Sequence, residues 1–416
     1  MAQKPKVFLI TDNFPFGKGE ASFILPELPF LMERFDVTII SKNDSDAQTS
    51  QVDPSIRVYR YPRQSRVKKL LYCLKGLFDT DIHEELREIR KNKIDKRAST
   101  VASFYSYAEA CCFWQWLKKE VLVQEIPDLF YTYWNNYAAY ALAKNKGHLH
   151  GAKLVTRMHG YDLFNERVPG GRQALKKQTD RKLDCAVFVS ARAKEYYIKH
   201  FATKQNSQKY PLFHLGVPGR GKSPYSPSKT LRIFSCSNLV ALKRVDLLIK
   251  GLALIDNIDI SWIHVGGGTQ EQEIHALAQS LLSGKANISY SLLGDMQNPK
   301  VVELLQATEF DCFISVTSTE GGVPVSMMEA CSFGVPIIST DAGGTSEIVS
   351  NKNGMLLDVT ITAADLAQAL QAFYQLEKNQ KQAMRQNAYT LWQQNFNSDR
   401  NFAVFTQHLF DLIIND

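Results

Sequence analysis

Eleven short apolar runs, each about five to seven residues long and rich in Val, Ile and Phe, recur along the chain. In the first half they are KVFLIT, DVTIIS, SIRVYRY, PDLFYTY, KLVTRMH and CAVFVS; in the second, RIFSCS, ISWIHVG, ISYSLLG, CFISV and VPIIST. Most lack the strict in-out alternation of a half-solvated strand, so they suit a parallel sheet covered on both faces. Stretches such as AEACCFWQWLKKEVLVQ and RVDLLIKGLALI fall between them with helical periodicity. Strand, helix, strand in this rhythm is the pattern of a doubly wound α/β fold, and it occurs twice. The break is HLGVPGRGKSPYSPSKTLR, which collects Gly, Pro, Ser and basic residues.

A chain of 416 residues is too long for one ordinary core. The expected organisation is an N-terminal Rossmann-like domain over 1–216, a linker over 217–230 and a C-terminal Rossmann-like domain over 231–395. A helix over 396–416 is expected to pack back on the first domain. Two such domains facing a central cleft would hold a ligand where the C-terminal ends of both sheets meet.

Composition removes several alternatives. At 44% hydrophobic and 22% charged residues, the chain is globular rather than disordered. No apolar run reaches the roughly 20 residues of a membrane helix. The apolar part of MAQKPKVFLITDNF is too short for a secretory leader, so a cytoplasmic protein is expected. Cys73, Cys111, Cys112, Cys185, Cys236, Cys312 and Cys331 are scattered without metal-site spacing, so neither a disulfide framework nor a metal site is expected. The net charge of +7 points to anionic partners, nucleic acid not among them.

Four segments follow apolar runs, where doubly wound folds place their sites. DNFPFGKGEASF follows the first strand. Gly17 and Gly19 there allow close main-chain approach to a ligand, or they form an ordinary strand-to-helix turn. VTRMHGYD places His159 at a strand end, as a cleft residue or as a core histidine. SCSNLVALKRVDLLIKGL sets Lys243 and Arg244 at the head of a helix. Positive charge there opposes the helix dipole unless an anion such as phosphate offsets it; solvated surface charge is the alternative. STEGGVPVSMMEACSFGVPIIST frees the backbone at Gly321 and Gly322, starts a helix near Pro324 and places Glu320 and Glu329 at different depths. Two carboxylates near a sugar serve as hydroxyl acceptors as readily as acid and base. In DAGGTSEIV, Thr345 is expected to cap a helix containing Glu347.

These segments, in this order, resemble the glycosyl transferases group 1 family, whose members are retaining, nucleotide-sugar-dependent enzymes of GT-B fold. The resemblance covers most of the chain. FPFGKGE resembles the family's glycine loop, MHGYD its histidine segment, NLVALKRVDLLI its diphosphate site and EGGVPVSMMEACSFGVPIIST its paired-glutamate signature. GGTSEIV and NGMLLD complete the pattern. Two departures stand out. Eight residues rather than seven separate Glu320 from Glu329. Asn238 replaces an arginine of the diphosphate site, while Arg244 stands where a glycine is usual.

The resemblance implies sugar transfer from a nucleotide-diphosphate donor to a glycan or lipid-linked hydroxyl acceptor, with no cofactor and no metal, in bacterial surface or exported glycan assembly. Lys243 and Arg244 would meet the leaving diphosphate, Arg244 standing in for the missing arginine. Glu329 would hold the ribose hydroxyls, Glu320 the donor sugar and His159 another sugar hydroxyl. The donor would also contact Gly17, Gly19, Asn238, Gly321, Gly322, Val323, Pro324, Val325 and Ser326. A sugar-nucleotide epimerase or phosphorylase of the same fold, or a non-catalytic sugar binder, are the other readings. RQSRVKKLLYCLKGLF, Arg63 to Phe78, mixes basic and apolar residues at helical spacing. It suits an anionic membrane surface and a peripheral location, or equally a packed helix with a solvated basic face.

Overall fold

All eleven apolar runs contain a strand in the computed structural model, which describes residues 4–17, 19–44, 47–204 and 206–415. The strands are β1 (Lys6–Thr11), β2 (Asp36–Ser41), β3 (Arg57–Arg60), β4 (Leu129–Thr132), β5 (Lys153–Met158), β6 (Cys185–Phe188), β7 (Thr230–Cys236), β8 (Asp259–Val265), β9 (Ile288–Leu292), β10 (Cys312–Ser315), β11 (Ile337–Thr340) and β12 (Gly354–Leu357). β12 is the strand that the apolar runs did not include.

Two six-stranded sheets form, ordered β3-β2-β1-β4-β5-β6 and β12-β11-β10-β7-β8-β9. Every pairing is parallel, for example Val7 opposite both Val37 and Leu129, and Ile233 opposite both Trp262 and Cys312. Counted from its own first strand, each sheet has the doubly wound order 3-2-1-4-5-6. The order reverses between β1 and β4 in one sheet and between β7 and β10 in the other, and the crevice at each reversal is where such sheets bind ligands.

Alternate residues of β1 explain the two-sided covering. Phe8 and Ile10 join the cluster containing Phe113 and Leu117, at the end of helix Lys96–Trp116 and just beyond it. Val7 and Leu9 join Leu28 and Leu31, together with Phe405 and Leu409 of the last helix, Ser398–Ile414. The second sheet buries Leu231, Ile233 and Trp262 against Leu248, Leu252 and Leu370.

The chain divides into two compact units. One comprises Met1–Phe213 with Phe402–Asp416, the other His214–Asn401. Residues 217–230 belong to the second, held by Ser223 N–H donating to Phe333 O and Trp392 Nε1 to Val217 O. The return of the C-terminal helix to the first unit is fixed by a buried cation. The Arg157 guanidinium, fully inaccessible, pairs with buried Glu27 and lies 4.0 Å from the Phe405 ring. Among the described residues no helix is long and apolar enough to cross a membrane.

His264 of β8 is inaccessible, and its Nδ1 lies 2.8 Å from the Ser235 hydroxyl, to which Trp262 Nε1 donates. Burial lowers its pKa from 6.5 to about 4. The unfolded chain therefore takes up a proton near pH 6.5 that the folded core refuses until near pH 4. Stability is complete above pH 6.5 and declines as pH falls toward 4, by up to about 1.4 kcal/mol per pH unit from this group. Urea titrations between pH 7 and 5 check this, and His264→Asn should flatten the slope attributable to the second unit.

Candidate functional site

The loop after β7 passes Ser237 to Val240, makes a short turn over Ala241–Lys243 and enters helix Val245–Ala253. It is fastened to the loop after β10. Leu242 O accepts from Ser318 N–H at 2.8 Å and from the hydroxyls of Thr317 and Ser318 at 3.1 Å each. This brings Lys243 against Glu320, and the two form an ion pair. The segment after β8 braces the same loop from the other side. A side chain on Gly266 would put its Cβ 2.0 Å from Ser237 O, and one on Gly268 would lie 2.4 Å from Leu239 O. Asn238, at the head of the loop, is exposed and its side chain makes no hydrogen bond among the described residues.

Arg244 departs from the sequence expectation. Its backbone is left-handed, φ 49°, which explains why glycine suits this position. Its guanidinium is committed to main-chain carbonyls: Nε donates to Val316 O at 2.6 Å, one terminal nitrogen to Val359 O at 2.7 Å and the other to Thr317 O at 3.3 Å. Burial lowers its pKa, consistent with an interior role. Arg244 is thus committed as a strut between loops rather than pointing a free guanidinium beside Lys243, while Asn238, earlier in the same loop, is exposed.

From Glu320 the chain runs through Gly321 and Gly322 to Pro324, the N-cap of helix Val325–Ser332. The N–H groups of Val325 and Ser326 make no hydrogen bond among the described residues, as expected of a first helical turn. Gly343 and Gly344 press on this loop. A Cβ at Gly343 would meet Glu320 O at 2.1 Å, and one at Gly344 would meet the Gly322 carbonyl carbon at 2.7 Å. Thr345 does not cap a helix. It begins a single turn, Thr345–Glu347, and its buried hydroxyl bridges Thr340 O and Ala342 N–H.

Glu329 is buried one turn into the helix. Asn298 donates to its Oε1 at 2.6 Å, while Oε2 makes no hydrogen bond among the described residues. Burial raises its pKa; the Asn298 hydrogen bond and the Arg220 charge act in the opposite direction. The second unit therefore gathers an ammonium, free helix N–H groups and two carboxylates at the C-terminal ends of β7 and β10.

In the first unit the loop after β1 is organised differently. Gly17 and Gly19 both have positive φ, 68° and 107°; Lys18 between them lies outside the described residues. The start of this loop is held by buried Glu20, which accepts from the main-chain N–H groups of Asp12 at 3.0 Å and of Asn13 and Phe14 at 2.5 Å each, and from Trp134 Nε1. Beside it Asp12 meets Lys42 at 2.6 Å, Asn136 Nδ2 at 2.9 Å and the Tyr161 hydroxyl at 2.5 Å. Burial pushes the Asp12 carboxyl up, but Lys42 and these donors more than reverse it, so it stays below the usual carboxylate range.

His159 stacks on Tyr133, centroids 4.9 Å apart at 27°, and lies 4.4 Å from the Trp134 centroid. Its main-chain N–H donates to Asp162, and its Nε2 is buried without a partner. Burial, aided by nearby Arg157, holds the ring well below its ordinary pKa and hence neutral.

The structure thus joins Lys243 to Glu320 directly and sets Asn238, Gly321 to Ser326 and Glu329 around the same sheet edge, while Gly17, Gly19 and His159 lie in the other unit. Sequence reading missed Glu20, Asp12, Lys42 and Asn298. FGKGE and DMQNP carried no spacing signal for them. Among the described residues no group of three or more His, Cys, Asp or Glu side chains is gathered as metal ligands.

Residues 222–391 match the model of the family described as glycosyl transferases group 1. A GDP-mannose-dependent monoacylated alpha-(1-6)-phosphatidylinositol monomannoside mannosyltransferase of Corynebacterium glutamicum is 26% identical over 231 residues, 50% of this chain and 57% of that protein. The putative colanic acid biosynthesis glycosyltransferase WcaL of Escherichia coli is 24% identical over 269 residues, 62% of this chain and 64% of that protein. The match thus spans less than two thirds of either relative's length. Among solved structures, Anabaena Alr3699/HepE in complex with UDP and glucose superposes with a TM-score of 0.65 over 98% of this chain and 99% of that one, at 16% identity. That likeness establishes a shared GT-B fold.

Two substitutions separate scaffold from chemistry. Arg244→Ala removes three hydrogen bonds from a charged donor and should destabilise the second unit by about 2 kcal/mol or more in urea titration. Gly344→Ala forces the Glu320 loop to shift and should cost about 1–3 kcal/mol. An Arg244→Ala protein of unchanged stability would show that the strut is dispensable.

Proposed function

We propose that the chain, whose residues 222–391 match the model of the glycosyl transferases group 1 family, moves a sugar from a nucleotide-diphosphate donor to a hydroxyl acceptor with retention at the anomeric carbon. The observation that carries the proposal is the Lys243–Glu320 pair at the head of a loop that ends in free N–H groups of helix Val325–Ser332. A diphosphate brings about two negative charges. An ammonium and preorganised N–H donors stabilise that charge as it develops on the leaving group, and this supports a reaction that needs no metal or cofactor. Exposed Asn238, in the same loop as Lys243, would add a neutral donor.

In this reading the bond between the anomeric carbon and the β-phosphate oxygen breaks, and the acceptor oxygen bonds to the same face of that carbon. The acceptor proton passes to the departing phosphate, giving a nucleoside diphosphate and a glycoside. Glu329 takes a ribose hydroxyl on Oε2 while Asn298 fixes the carboxylate through Oε1. Glu320 orients the donor sugar through its contact with Lys243. His159, neutral and with Nε2 unpartnered, accepts from a sugar hydroxyl. In this reading Gly17 and Gly19 contact the donor, in a loop whose start is held by Glu20 through the N–H groups of Asp12, Asn13 and Phe14. The names of the relatives, a mannosyltransferase acting on a phosphatidylinositol mannoside and a colanic acid glycosyltransferase, support a glycan or lipid-linked acceptor and a place in bacterial surface glycan assembly.

Incubating the protein with UDP-, GDP- and dTDP-sugars, with and without acceptor glycans, tests the proposal. A new glycan that appears only with acceptor, its anomeric configuration matching the donor by NMR, is the expected result. A changed sugar nucleotide without acceptor would indicate an epimerase, and binding without turnover a sugar-binding protein. Lys243→Ala should lower turnover roughly a hundredfold or more. Glu329→Ala should weaken donor binding in calorimetry by about 1.5–3 kcal/mol. Unchanged donor affinity with the fold intact would remove Glu329 from the ribose.

A further inference from the structure

Helix Arg66–Gly76 and the two residues after it break the usual rule for a surface helix. Val67, Leu70, Leu71, Leu74, Leu77 and Phe78 fall at helical spacing and form one stripe. Each is exposed, Val67 at 70% and Phe78 at 86%. The opposite face packs against helix Lys96–Trp116. Lys69 pairs there with Glu109, Cys73 Sγ donates to Phe104 O, and Gly76 lets the helices approach so closely that a Cβ would lie 3.2 Å from the Phe104 and Tyr107 rings. The bland alternative, a packed helix with a basic solvent face, is therefore reversed, since the solvent face is apolar. Tyr105, beside Lys69, and Val101 are also exposed on the neighbouring helix.

Charge says what covers it. From Arg60 to Phe78 the chain has six basic residues and no acidic one, against a net charge of +7 for the whole protein. Arg63, Arg66 and Lys75 are exposed along this stretch. A second copy of this chain would set the same positive surface against itself, because a twofold contact pairs identical patches. An amphipathic helix with an apolar stripe and basic flanks instead matches an interfacial helix, whose apolar residues sink to the level of the lipid headgroups while Lys and Arg meet anionic lipid.

We propose that this face docks the protein on an anionic membrane surface, with Val67, Leu70, Leu71, Leu74, Leu77 and Phe78 inserted and the basic residues on the headgroups. The packing described above holds the stripe in place, so docking needs no refolding. The proposal is independent of the sugar-transfer reading, because it is tested by binding alone.

Flotation of the full chain with vesicles of phosphatidylcholine, alone or mixed with phosphatidylglycerol, decides it. The wild type should float with the mixed vesicles, remain below with the neutral ones and be released by salt. The double substitution Leu70→Glu, Leu74→Glu lies on exposed positions and should leave the melting temperature unchanged while weakening vesicle binding more than about tenfold. Arg66→Gln with Lys75→Gln should weaken it about fivefold per charge removed. Failure to bind the mixed vesicles, or equal binding by the Leu70→Glu, Leu74→Glu protein, overturns the proposal. So does a wild-type dimer that those substitutions turn into a monomer, since the occupant is then a second copy.

Discussion

A parallel sheet has no hairpins at its C-terminal edge, so loops that emerge side by side must be tied by other bonds. In the second unit Arg244 does this. Holding a non-glycine residue in the left-handed region costs about 1–2 kcal/mol. Three hydrogen bonds from a charged donor, each worth roughly 1.5–3 kcal/mol, more than offset that. They fix the loop after β7 to Val316 and Thr317 after β10 and to Val359 after β12. With that strut in place Leu242 O meets Ser318, and Lys243 comes to Glu320. The charge missing from the family pattern at Asn238 is thus not restored at Arg244; it is spent on architecture.

The first unit solves the same problem with a carboxylate. Glu20 gathers the N–H groups of Asp12, Asn13 and Phe14 and the indole of Trp134, and so fixes the start of the loop that follows β1. The two sheets have the same strand order yet present opposite chemistry at their reversal points. One offers an ammonium paired with Glu320 and the free N–H groups of a first helical turn. The other offers Asp12 bonded to the Tyr161 hydroxyl, and the ring of His159 stacked on Tyr133. A shared fold leaves such differences to individual side chains.

That is also where the sequence stops being legible. Strands buried on both faces announce themselves through apolar content, and eleven were readable. β12 was not, because GMLL is short and opens with a glycine. That glycine is required, since a Cβ there would stand 1.9 Å from Ile337 O. The paired-glutamate segment was readable because its glycines, proline and acids sit at fixed offsets. The direction of the Arg244 side chain was not, because it follows from one backbone dihedral that no spacing encodes. Asn298 and Glu20 act across 31 residues and on the three amides just upstream respectively, with nothing periodic to mark either.

The exposed helix makes the same point from the other side. Residues 69, 72, 73 and 76 form one stripe at helical spacing, and residues 67, 70, 71 and 74 form another, about 160° away round the axis. Either could face inward on periodicity, and the second is the more apolar. Hydrophobic burial alone would choose it. What turns the helix the other way is shape and pairing. Gly76 is the one position where the backbone of this helix can approach the Phe104 and Tyr107 rings, and Lys69 finds its counter-charge only at Glu109 on that side. Once those two contacts fix the rotation, the leucines have no protein surface left to cover and stand outward among basic residues. An apolar stripe kept outward by its own packed face is the arrangement an interfacial helix needs, because the face that meets the lipid is already presented before it arrives.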